Sequence, residues 1–277
     1  MSEHPCIIRP DVECISASED DKQKESEPSV PTETKDGNLH VKNPVRRRIL
    51  VEEDVEEEEL IIKKRSPRIN MQQIIDKIKS HPDEDIKLLR DEEVVRWIFG
   101  DTGFLNISEE TKNRTNDDKK RKINEDSWGW SKYNDIIKPS KEISRKQWTT
   151  CFGQTVGKEL YLLQNSKVWK PKKKNKYEPD LENDSCVVEV KTQTFFTSGT
   201  AGEKILGSPF KYASIPRLFG KPLIILCIGG AEKISREMYG NLGAKANAEQ
   251  RKMLKFLSDE LRIKFEGAID ILKKLVN

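Results

Sequence analysis

The run Leu223-Ile224-Ile225-Leu226-Cys227-Ile228, set between Pro222 and Gly229-Gly230, constrains the fold more than any other feature of the chain. Successive side chains of a strand point to opposite faces, so a strand can be apolar throughout only if both faces are covered. The run therefore predicts a buried strand in a sheet with helices on either side, an α/β arrangement. Two segments have the periodicity to supply such helices. Arg145 to Asn165 carries Phe152, Val156, Leu160 and Leu163 at spacings of 4, 4 and 3. Residues 246–275 carry Leu254, Leu257, Leu261, Phe265, Ile269 and Leu272 on one stripe, which predicts a single long amphipathic helix. Gly153 and Gly157, four apart on the first helix, would allow it to pack close against the sheet. With a hairpin over 177–193, these elements make residues 141–277 an α/β domain. No internal repeat is present.

The other half reads differently. Of the 277 residues 35% are apolar and 35% charged, where an ordinary domain has about 45–50% and about 25%. Residues 1–66 account for much of the difference. They are poor in aromatics and include the acidic block Glu52 to Glu59, a composition too polar to offset chain entropy, so disorder is expected there. Arg46-Arg47-Arg48 and Lys63-Lys64-Arg65 would suit nuclear import in a eukaryotic host, although short basic runs also arise by chance. Residues 67–140 read as a helical accessory module and linker. Ile74, Ile75 and Ile78 form one stripe, Val94, Val95, Trp97 and Ile98 another, and 109–126 is polar enough for a loop. Trp128, Trp130 and Tyr133 fall within a few residues of each other, suited to plugging a domain seam or, beside Lys132, to stacking on bases.

The overall charge of +3 conceals an asymmetry: residues 141–277 hold 25 Lys+Arg against 15 Asp+Glu. A basic half suits a polyanion such as nucleic acid. The five Cys are scattered without a CxxC pair, as expected of reduced thiols in a cytosolic or nuclear protein. Three His are too few for a His-rich metal site. The N-terminus lacks a signal-peptide pattern, and no apolar run approaches the ~18 residues of a membrane span, so no membrane association is expected.

The chemistry concentrates between Tyr177 and Lys191. Asn183-Asp184-Ser185 is a turn signal between two strand-like arms. An antiparallel hairpin centred there sets Glu182 opposite Val187 and Asp180 opposite Glu189, with Cβ atoms about 4.5–5.5 Å apart. Glu189 and Lys191 then share one face, while Val188 and Val190 take the other and enter the core. Two carboxylates so placed repel each other unless a cation lies between them. Hard oxygen ligands of this kind suit Mg²⁺, which keeps waters and takes further oxygens from a phosphate. A neighbouring Lys can hold an attacking water or contact the scissile phosphate.

Pro179-Asp180, then eight intervening residues and Glu189-Val190-Lys191, resembles the signature of the PD-(D/E)xK nuclease superfamily. Thr197-Ser198-Gly199-Thr200-Ala201-Gly202-Glu203-Lys204-Ile205 resembles the Gly-Thr-Ala-x-Glu-Lys segment of some type II restriction endonucleases in it. The resemblance covers about residues 145–230. It implies a restriction-endonuclease-like core, a mixed β-sheet flanked by helices. Asp180 and Glu189 would be the metal ligands, Lys191 the catalytic lysine, and Glu159, on the preceding helix, a further carboxylate. Gln193 continues the Glu189–Lys191 face and could touch substrate. Thr200, Glu203 and Lys204 could position the DNA backbone, or could be a capped helix start with Thr200 as N-cap and Glu203 at N3. Between Lys167 and Lys176 six Lys precede the hairpin, and Lys172, Lys173 and Lys174 would grip phosphates without reading sequence.

The expectation is a Mg²⁺-dependent endonuclease cutting double-stranded DNA in the manner of a restriction enzyme and leaving 5′-phosphate and 3′-hydroxyl ends. A homodimer would supply the two sites that duplex cutting needs. A structure-selective or repair nuclease, an inactive nucleic-acid-binding protein and an interaction scaffold are the alternatives.

Overall fold

A computed structural model describes residues 70–105, 114–197, 202–243 and 245–276. These lie in one compact unit, Lys64–Asn277. The expectations for the tail 1–66 and for Thr200 fall outside the described residues.

Two short helices come first, α1 (Met71–Lys79) and α2 (Glu92–Ile98), N-capped by the side chains of Asn70 and Asp91. After a 3₁₀ turn at Gly103–Leu105 the chain enters α3 (Arg114–Ile137). The polar stretch expected to be a linker over 109–126 thus contributes most of a 24-residue helix. Lys119 and Lys120 are exposed on it, whereas Glu125 is buried, and Trp128 and Tyr133 lie on the same helix facing in. Trp128 packs at 5.9 Å from Trp97 and 6.0 Å from Phe152, so the aromatics join the helical segment to the helix that bears Phe152. One continuous core holds Ile74, Trp97 and Trp148 together with Phe152, Val188 and Leu226. The expected boundary at 140/141 therefore runs through shared packing.

α4 (Trp148–Leu162) buries Phe152, Val156 and Leu160 completely. A Cβ at Gly153 would lie 1.7 Å from the Thr192 hydroxyl oxygen, and one at Gly157 would lie 3.0 Å from Val190. The helix approaches the sheet at a distance that no larger residue at 153 would tolerate. The sheet is mixed and four-stranded, in the order β1 (Leu181–Glu182), β2 (Val187–Gln193), β3 (Leu223–Gly229), β4 (Ile263–Gly267). β1 is antiparallel to β2, and β2, β3 and β4 run parallel. β3 is buried on both faces, with Leu226 and Ile228 in one core and Leu223, Ile225 and Cys227 in the other.

Between β2 and β3 lie three one-turn helices, α5 (Glu203–Leu206), α6 (Ser208–Lys211) and α7 (Ile215–Phe219), which close the second face. α5 begins at Glu203 with Gly202 as cap, so Glu203 is its first residue and not its third. After β3 come α8 (Gly230–Glu237) and α9 (Ala248–Asp259), the latter with an Asn247/Gln250 capping box. The single helix expected over 246–275 does not form. The chain turns at Arg262, φ 55°, enters β4, and resumes as α10 (Ala268–Lys273). Without β4, the edge of β3 would present unpaired backbone groups beside a buried core. Ile263 and Phe265 pair with Leu223 and Ile225 to cover it.

Candidate active site

The hairpin has the expected register: Leu181 pairs with Val188 and Glu182 with Val187. Its turn is held by Asn183, whose Oδ1 accepts from the backbone N–H of Ser185 at 2.9 Å and of Cys186 at 2.7 Å. Asp180, one residue before β1, donates its N–H to Val188 O at 3.1 Å, so the backbone there meets the partner of Leu181 and not the expected Glu189. This brings Asp180, Glu189 and Lys191 together at one edge of the sheet.

Each carboxylate is oriented by specific donors. Asp180 Oδ1 accepts from the Gln154 side-chain amide at 2.6 Å, and Oδ2 from the Val190 backbone N–H at 2.7 Å. Glu189 is 6% exposed. Its Oε1 accepts from both Lys191 Nζ and the Tyr212 hydroxyl, each at 2.6 Å. The Lys191 ammonium also lies 5.4 Å from the centre of the Tyr212 ring. Burial, and next the charge of Glu189, push the Asp180 carboxyl above its ordinary value. Burial and the bond to Glu189 raise the Tyr212 phenol, which stays protonated and donates.

Glu159 does not belong to this group, which corrects its expected role as a metal ligand. It is 1% exposed, and its two oxygens accept from the backbone N–H groups of Leu88 at 3.0 Å and Leu89 at 2.8 Å. Burial raises its pKa. Glu159 ties α4 to the loop between α1 and α2, and Gln154, five positions earlier on the same helix, is the residue that reaches Asp180. Gln193 is 7% exposed and lines a separate cleft with Thr192 and Thr194, and among the described residues its Oε1 has no hydrogen-bond partner. Lys172 and Lys173 are exposed on the loop before the hairpin, and Lys204 is exposed on α5. Lys174 is drawn back onto the protein, with Nζ 3.2 Å from Leu218 O and 4.5 Å from the Phe219 ring centre.

Gln154 and Tyr212 are the residues that sequence reasoning missed. Gln154 interrupts the apolar stripe next to Gly153, the position of closest approach to β2, and that adjacency was a readable signal. Tyr212 lies 23 residues from Glu189, just past a one-turn helix with no periodicity to place it.

Among the described residues no three His, Cys, Asp or Glu side chains gather closely enough to cage a metal. Two carboxylates nevertheless fit Mg²⁺, which commonly takes one or two from the protein and the rest of its oxygens from water and phosphate. The like-charge pressure on Asp180 is what a divalent cation would relieve. Compared with known proteins, the chain matches no family model, no curated protein and no solved structure.

Proposed function

We propose that the chain is a metal-dependent endonuclease that hydrolyses phosphodiester bonds in duplex DNA. The observation that carries this reading is Asp180 held against β2 at Val188 and Val190, beside the charge of Glu189, with Lys191 bonded to Glu189. The restriction-like resemblance of the motifs supports DNA as substrate, cutting at a defined sequence, and 5′-phosphate and 3′-hydroxyl ends.

Asp180 and Glu189 would hold Mg²⁺. When bound, the ion would lower the pKa of a water and offset charge developing on the phosphate. The chain's own groups do the rest. Gln154 and the Val190 N–H fix the Asp180 carboxylate, and Tyr212 and Lys191 fix that of Glu189 by one oxygen. The Lys191 side chain, 21% exposed, keeps donors available to steady a water or a phosphate oxygen. Lys172 and Lys173 would hold the backbone of the duplex without reading bases. The test is incubation of plasmid DNA with the full chain in Mg²⁺ or EDTA, beside Asp180→Ala. Discrete fragments that require both metal and Asp180 are expected. Intact DNA under all conditions, or cutting that survives the substitution, would overturn the reading.

A further inference from the structure

Asp180 also lies on the wall of a cleft of about 390 Å³, within the ligand-sized range of about 300–1,000 Å³. Trp169 lines the same cleft and is 39% exposed, unusual for so large a ring. Its backbone is fixed: its N–H donates to Glu182 O and its carbonyl accepts from Glu182 N–H, both at 2.9 Å. Its ring is fixed as well. The Lys221 ammonium, 5.0 Å from the ring centre, is anchored at 2.7 Å to both Glu182 Oε1 and Asn183 O. Trp169 also opens the basic loop, followed by Lys170, Lys172 and Lys173. A rigid, partly exposed indole flanked by lysines is the arrangement that stacks on nucleobases.

We infer that Trp169 is a stacking platform for one unstacked nucleobase, seated in the cleft beside Asp180. Lys172 and Lys173 of the loop hold the adjoining phosphates, and the base comes either from a single strand or by extrusion from a duplex. That the base belongs to the strand being cut rests on the nuclease reading; that a base stacks on Trp169 does not.

The test uses the full chain in EDTA, so that binding is measured without cleavage. Fluorescence anisotropy compares three labelled probes, namely a single-stranded oligonucleotide, a fully paired duplex, and the same duplex with one unpaired base. Trp169→Ala should weaken binding on the order of tenfold, and Trp169→Phe should restore most of it. A loss confined to the single strand identifies a single-stranded source. A loss on the duplexes, larger with the unpaired base, identifies extrusion. Because the residue is at the surface, circular dichroism should show unchanged folding in both variants. Equal binding of all three probes by wild type and Trp169→Ala would overturn the inference, as would a wild-type chain that binds none. If Trp169→Ala loses binding while no DNA is cut in Mg²⁺, the platform stands and the nuclease reading falls. If cutting depends on Asp180 while Trp169→Ala binds normally, the opposite holds.

Discussion

Two sets of acidic side chains are buried against the same sheet, and they are treated in opposite ways. Glu125 and Glu159 are almost wholly inaccessible, and backbone N–H groups from distant segments bond to both oxygens of each. Glu125 accepts from the Trp97 indole at 2.7 Å and from the backbone N–H groups of Phe195 and Phe196 at 2.9 and 3.3 Å, while Glu159 accepts from Leu88 and Leu89. Asp180 instead lies within reach of the charge of Glu189, and side chains supply most of the donors to the two. A carboxylate enclosed by backbone donors fastens two segments of chain. Glu189, held by one oxygen beside a like charge, retains capacity to bind something more. Burial alone does not distinguish the two; the identity of the donors does.

The comparison can be broken most directly at Asp180. Asp180→Asn should lower Mg²⁺-dependent cleavage by about 10³-fold, the scale of losing a group that supports transition-state charge, with no loss of thermal stability. A large drop in melting temperature would place Asp180 with the fasteners. Glu159→Ala should do the reverse. Two buried N–H groups lose their acceptor, so urea unfolding should show a loss of roughly 3 kcal/mol, while cleavage per folded molecule stays constant. The pH dependence comes from the same burial. The folded chain keeps the Glu159 proton to higher pH than the unfolded chain, whose value is near 4.5. The stability linked to this group is therefore full below about 4.5 and is lost as pH climbs through the raised folded value. Glu159→Gln should remove that part of the slope in unfolding experiments run across pH 4–7.

Smaller effects sharpen the contrast. Tyr212→Phe removes one donor from Glu189 and little volume. It should raise the Mg²⁺ concentration for half-maximal cleavage by roughly tenfold, with the rate at saturating metal nearly unchanged. A fall in rate at saturation would mean that the phenol acts on substrate. Replacing Lys172 and Lys173 by Ala should cost only a few-fold in DNA affinity and flatten the salt dependence by about one to two units, equally for every sequence.

The hairpin was legible in the sequence because local rules decide it. Alternation and an Asn-Asp-Ser turn are enough to set Leu181 against Val188 and Glu182 against Val187, since register in a hairpin is fixed by its turn. The β3 run implied a covered sheet without any knowledge of its neighbours. Glu159 was misplaced because a helical stripe is one-dimensional. It shows that the residue sits between Val156 and Leu160, and cannot show that Leu88 and Leu89, 71 and 70 residues away, present their N–H groups to it. β4 was missed because Leu261, Phe265 and Ile269 keep helical spacing across it, while its pairing with β3 is a demand of the sheet and not of the segment. For Tyr212 there was no local signal at all.

Gly153 adds a consequence of its own. Where α4 crosses β2 there is no room for one additional carbon, and the next residue along is the one whose amide meets Asp180. The missing side chain works as a gauge: it sets the standoff between helix and strand, and with it the reach of Gln154. A methyl group added there would act as a shim, backing an amide away from a carboxylate without touching either, so the alignment of this edge is calibrated by an atom that is not present.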